Sequence, residues 1–212
     1  MAVETSGVEG GASASAARAA AAIGIAPSDM RQLISPLGLR ETCFRPASNL
    51  LPRIAPTEVD QDWRGGLVHG SVHDESTHAL GGIAGHAGLF SSAAEIYRFG
   101  LAWLAAGDIS GATWLADGAT FLQPATARAA MTNQTAGLNA ACGLGWMIDR
   151  PNFMGAAPAG TVGHTGFTGP AIVIARAQNK SVVMLCNRVY PKRAAPTHQA
   201  VMAAVVMAAL GQ

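Results

Sequence analysis

Three stretches of this sequence hold residues whose types and spacing could do chemistry. The first gathers His69, His73, Asp74 and His78 within ten residues. A metal site needs three or four N, O or S ligands converging on one point, and H-x3-H-D-x3-H is not a zinc spacing. A helix would bring His69 and His73 to one face, but Gly65, Gly66 and Gly70 argue against one. Two readings stay open: a metal-dependent hydrolase built on these four residues, and loop histidines bonded to the backbone. The glycine content favours the second, so no metal ligand and no cofactor is assigned. The second stretch is Gly163, His164, Thr165, Gly166, Phe167, Thr168 and Gly169, between apolar segments. Glycine at the end of a strand lets a ligand approach the backbone. An imidazole beside a hydroxyl can bind a carboxylate or relay a proton. A plain glycine-rich turn with an exposed His reads equally well. The third stretch, residues 81–91, holds four glycines around His86. It lacks the Lys-Ser/Thr pair of a phosphate-binding loop, so a structural turn is the simpler reading.

These residues need elements to hold them. Ser92 to Glu95 matches a capping box, and Ile96, Phe99, Leu101, Trp103 and Leu104 follow. A helix is expected from there to about Ala106, ended by Gly107 and Asp108. Residues 124–131 read as a second helix with Pro124 in its first turn. Residues 143–149, 161–166, 171–177 and 181–187 are short apolar segments rich in β-branched residues, which predicts strands. Gln178, Asn179 and Lys180 form a polar connection that makes the last two a hairpin. Pro196 and Thr197 open a terminal apolar helix that stops at Gly211. Upstream, Ser28 caps a short helix to Ile34, which Pro36 to Gly38 stops. Residues 39–90 show little periodicity, as functional loop regions do. The sum is an α+β fold, an antiparallel β-sheet flanked by helices. Residues 1–27 read as a low-complexity, flexible leader and 28–212 as the domain.

Composition narrows the function. Half of the 212 residues are hydrophobic and only 13% are charged, against roughly 25% in typical soluble chains. The 43 Ala and 25 Gly make small residues dominant. A net charge of +1 argues against a nucleic-acid partner. Disorder of the whole chain is excluded by the apolar content. Three dispersed cysteines make no disulfide framework. Cys142 and Cys186 lie in apolar runs, where buried small hydrophobes are expected. No apolar run approaches the ~18 residues of a membrane helix. The Ala-rich N-terminus carries Glu4 and Glu9 in place of a basic region, so it reads as a poor signal peptide and a cytoplasmic location is expected.

Four stretches in register carry a resemblance. Ile34 to Leu39 with Glu41 and Thr42, Val72 to Glu75 followed by residues 81–92, Gln134 to Leu138 with Gly143 to Trp146, and His164 to Gly166 form the set. From about residue 30 onward the chain resembles the serine β-lactamase and penicillin-binding superfamily, in its class C-like branch of β-lactamases, esterases and D-alanyl-D-alanine carboxypeptidases. His164 to Gly166 is similar to the Lys-Thr-Gly box, with His in place of Lys. The resemblance implies a β-lactamase/transpeptidase-like fold and acyl transfer on β-lactams, D-alanyl peptides or esters. It implies that His164 and Thr165 bind the substrate carboxylate or support the proton network. Gly166 would give the substrate room, the Phe167 N–H would be half of an oxyanion hole, and His86 would lie near the cleft rim. The implied partner is a small-molecule or peptidoglycan-like substrate.

The departures are as informative. No Ser has Lys three residues on, and Ser28 has Arg31, which stays protonated and cannot act as a base. Tyr97 and Tyr190, the only tyrosines, do not stand in Y-x-N. The chain therefore resembles the C-terminal portion of a family member, an incomplete fold expected to be inactive alone. Its exposed sheet edge is expected to favour association with a missing N-terminal half or with itself. A non-catalytic ligand- or partner-binding module of the same fold is the alternative.

Overall fold

The computed structural model describes residues 34–106, 122–193 and 198–211. Three short strands come first: β1 (Cys43–Phe44), β2 (Glu58–Asp60) and β3 (Gly66–Val68). Helix α1 (Glu75–Ala79), strand β4 (Leu89–Phe90) and helix α2 (Ala93–Ala106) follow. Beyond them lie α3 (Pro124–Ala130), β5 (Met147–Ile148), α4 (Pro151–Met154) and β6 (Val162–Thr165). The chain then forms β7 (Ala171–Ala175), β8 (Lys180–Met184) and α5 (Gln199–Leu210).

Alternation along the strands builds the core. The main sheet is antiparallel throughout, in the order β5-β6-β7-β8. Successive side chains on a strand leave opposite faces, so β7 splits its apolar residues between two cores. Ile174 joins Val162, Ile148, Trp146 and, from α2, Trp103 and Leu104. Ala171, Val173 and Ala175 join Phe153 and Met154 of α4 and Met202, Val206 and Leu210 of α5. The sheet is thus covered by α2 on one face and by α4 and α5 on the other, the expected α+β sandwich. Among the described residues β8 has a partner strand on one side only.

Most expected elements stand where the sequence puts them. The α2 helix, α3, the β7–β8 hairpin and α5 with Gly211 in the left-handed conformation (φ 80°) all do. The leader 1–27 and the helix start at Ser28 lie outside the described residues, as do Gly107, Asp108, Pro196 and Thr197. Three expectations need correction. Residues 39–90 are not simply irregular: β1 pairs with β4 and β2 with β3, in two small ribbons, and Asp74 caps α1. Residues 143–149 are not one strand. Gly145 (φ 76°) reverses the chain, the Gly143 N–H bonds Trp146 O at 2.8 Å, and only Met147–Ile148 joins the sheet. Gly143 is held to that identity by space, since a Cβ there would lie 1.9 Å from Ala130 O. Cys186 is exposed, not buried, and its thiol donates to Gly169 O at 3.1 Å.

The capping box at α2 is also rewired. Ser92 O accepts from the Ile96 N–H as an N-cap should. Glu95 does not turn back to Ser92. Its buried carboxylate accepts from the Glu41 N–H at 2.9 Å and the Thr42 hydroxyl at 2.5 Å. A tertiary bond with a segment more than 50 positions away has displaced the local one. With Leu37 and Leu39 packed on Ala102, it ties residues 34–42 to α2.

Candidate active-site strand

The end of β6 carries the third chemical stretch. Gly163 lets β6 lie close over its neighbours, because a Cβ there would sit 2.6 Å from Ile172 O and 3.2 Å from Phe153 Cε2. The next residues open into two recesses that share Thr165 as a wall. One, of about 460 Å³, is lined by Met147, Arg150, Pro151, Asn152, Phe153, Thr165 and Gln199. The other, of about 200 Å³, is lined by Thr165, Gly166, Phe167, Arg188, His198 and Gln199. Neither lining contains Asp or Glu, so both favour an anionic group.

The donors around Thr165 are fixed by the backbone. Arg188 Nε donates to Phe167 O at 2.7 Å, and its guanidinium lies 4.7 Å from the Phe167 ring centroid. His198 Nε2–H donates to Gly169 O at 2.9 Å. Arg150 donates to Ala141 O at 3.3 Å. The Phe167 N–H donates to no group among the described residues, so it is free for a ligand. His164 is exposed, its Nδ1–H donates to Thr165 O at 3.0 Å, and it lines neither recess. Thr165, Gly166 and Phe167 are brought together; His164 lies on the other face of β6. Arg150, Arg188, His198 and Gln199 were not singled out in the sequence, where no spacing ties them to Thr165.

The histidine-rich stretch scatters instead of converging. His69 Nε2–H donates to Ile54 O at 2.8 Å. His78 packs edge-on against Trp63. His73 is buried and donates to Glu58 Oε2 at 2.7 Å. Asp74 Oδ1 accepts from the Thr77 N–H at 2.7 Å and lies 3.1 Å from His86 Nε2. Among the described residues no group of three such side chains could hold a metal ion. His86 therefore sits with Asp74 and Thr77, 3.1 Å from the Thr77 hydroxyl, and outside both recess linings.

These carboxylates set a pH dependence. The Thr77 N–H, before its hydroxyl and His86, holds Asp74 below the usual range. The hydrogen bond from Arg193 does the same for Glu75. Their unfolded values lie near ~4. A depressed folded pKa gives stability that is fully present above the unfolded value and lost as pH falls through the folded one. The contribution of these two carboxylates to the thermal midpoint is therefore expected to be lost below about pH 5. Asp74→Asn should reduce that loss, and a midpoint that rises on acidification would refute the assignment.

The beta-lactamase family profile matches residues 28–206. The chain belongs to the beta-lactamase family. Two relatives named D-alanyl-D-alanine carboxypeptidase lie at similar distance. That of Escherichia coli (strain K12) is 33% identical over 179 residues, covering 76% of this chain and 39% of the relative. That of Salmonella agona is 32% identical over 182 residues, covering 77% and 40%. The chain thus spans about 40% of the length of the curated relatives it matches. Solved structures share the fold at lower identity. Simvastatin synthase from Aspergillus terreus superposes with a TM-score of 0.61 at 16% identity, covering 91% of this chain and 52% of that one. A beta-lactamase from Mycobacterium bovis gives 0.56 at 17%, covering 93% and 61%.

Most of the family's stretches are bonded or packed within the fold. Leu37, Leu39 and Thr42 anchor α2. Gly143 and Trp146 form the turn and core beneath β5. His73, Asp74 and Glu75 bond to Glu58, Thr77 and Arg193. Only His164 to Gly166, through Thr165 and Gly166, reaches the recesses. No helix among the described residues is long and apolar enough to cross a membrane.

Proposed function

We propose that this chain carries the substrate-binding strand of a β-lactamase-type site, and that it binds an acyl-D-alanyl or similar carboxylate ligand without performing acyl transfer itself. The observation that carries the reading is the placement of Thr165 between two recesses lined by Arg150, Arg188 and His198 and by no acidic residue. The Thr165 hydroxyl and the nearby Arg150 and Arg188 bind the carboxylate, and the free Phe167 N–H takes the acyl oxygen. The relatives named as carboxypeptidases support a peptidoglycan-like ligand. Without S-x-x-K and Y-x-N in these 212 residues, neither the family's nucleophile nor its base is present in recognisable form.

The test pairs intact-mass spectrometry after incubation with a fluorescent penicillin with titration of N-acetyl-D-alanyl-D-alanine. The expected result is no covalent adduct and saturable, reversible binding. Thr165→Val removes a hydrogen bond to a charged group, about 1.5–3 kcal/mol, so binding should weaken roughly 10- to 100-fold. A stoichiometric adduct would sink the non-catalytic half of the reading. No saturable binding would sink the rest.

A further inference from the structure

Phe167 is 57% exposed, yet three side chains from two segments distant in sequence converge on its ring. The His73 imidazole stacks on it, with centroids 5.7 Å apart and planes 23° apart. The Arg188 and Arg193 guanidinium groups lie 4.7 Å and 5.8 Å from the ring centroid. Behind the ring the polar groups close on one another. Glu58 Oε2 accepts from His73 at 2.7 Å, and Arg193 Nε donates to Glu58 Oε1 and Oε2 at 2.9 and 2.7 Å. Arg193 Nη2 reaches Glu75 Oε1 at 2.5 Å. Glu58 and His73 are among the few buried polar side chains in the described residues. Burying them is costly unless they are paired, so their pairing beside an exposed aromatic calls for a reason.

We propose that Glu58, His73 and Arg193 form a positioning clamp for Phe167. The stacked imidazole fixes the ring, Glu58 fixes the imidazole, and Arg193 offsets the buried carboxylate. Fixing the ring fixes the peptide unit at Phe167, whose N–H is free and borders Gly166. The inference rests on reading that N–H as the acyl-oxygen donor. The clamp acts through Phe167 and touches no ligand. Its effect is to hold the donor ready, so that ligand binding does not also have to order a turn.

The test reads the turn directly and then the ligand. Backbone amide order parameters of Phe167 and Thr168 are measured by NMR relaxation in the full chain without ligand. A rigid backbone gives about 0.85 and a flexible one below about 0.6. His73→Asn keeps a polar partner for Glu58 but loses the stacking face. It should drop Phe167 and Thr168 towards the flexible value while the amides of β7 stay rigid. His73→Tyr restores a stacking face with an O–H that can donate to Glu58 and should restore the order of the turn, which a generic loss of stability would not. If His73→Asn does not fold, the isosteric Glu58→Gln replaces it and should loosen the turn in the same sense.

Unchanged order at Phe167 in a folded variant overturns the proposal. So does failure of all three variants to fold, which would make the network a fold requirement and nothing more. N-acetyl-D-alanyl-D-alanine titration separates the two readings. A wild-type chain that fails to bind it refutes the ligand assignment, while the relaxation data still decide the clamp. A wild-type chain that binds should lose at least tenfold in affinity in His73→Asn and regain it in His73→Tyr.

Discussion

Glu58→Ala is expected to destabilise the chain by about 1–3 kcal/mol, the cost of leaving the buried His73 N–H without its acceptor. The side chains of Glu58 and His73 are only 10% and 6% exposed, so water cannot replace the lost bond. Arg193 would lose two of its three carboxylate contacts and keep Glu75. The pair Arg53–Glu41 provides the contrast, with side chains 64% and 41% exposed. Water and salt screen so exposed a pair, so Arg53→Ala should be nearly silent. Urea denaturation of both variants checks the difference. A further variant sharpens it: Glu58→Leu combined with His73→Leu removes both buried polar groups and should cost less than the sum of the single changes, because neither is left unpaired. If Glu58→Ala costs less than about 1 kcal/mol, the pair is solvated and the burial argument fails.

The parts of this fold that could be read from sequence are those governed by local rules. The β7–β8 hairpin follows from β-branched runs around Gln178 to Lys180, and α5 from an apolar run closed by Gly211. The family resemblance is equally legible, because it rests on residue types in order. What stayed hidden depends on tertiary partners. Nothing local announces that Glu95 abandons its capping box for Glu41 and Thr42, or that Glu58 must be paired with His73 and Arg193. The four clustered polar residues at 69–78 invited a metal reading because spacing carries no information on direction. Each is drawn to a different partner: Ile54 O, Glu58, Thr77 N–H and the Trp63 ring. The recess has the same character. Thr165 and Gly166 were visible in a family box and Phe167 just after it, whereas Arg150, Arg188 and His198 join Thr165 in the recess walls from elsewhere in the chain.

Phe153→Ala is expected to cost about 3–5 kcal/mol and to disturb the site as well. The ring is 1% exposed and packs with Met154, Val173, Met202 and Val206, so truncation leaves a cavity between the sheet and α5. Such a cavity stays empty unless its walls move, and the cost depends on how far they can. One wall is β6, because Phe153 Cε2 stands 3.2 Å from where a Cβ on Gly163 would be. A glycine with no side chain offers little resistance to sagging into the gap. Movement of Gly163 would carry Thr165 with it, and Thr165 walls both recesses. Two measurements separate these effects. Chemical denaturation gives the stability loss, and amide shifts of residues 163–166 report whether β6 moves. Leu138→Ala, at a loop position 72% exposed, serves as the control and should stay within about 0.5 kcal/mol. A large stability loss with unmoved amide shifts would mean that β6 is held by its ladder to β7 and not by the ring below it. The site would then be insulated from the α5 side of the core.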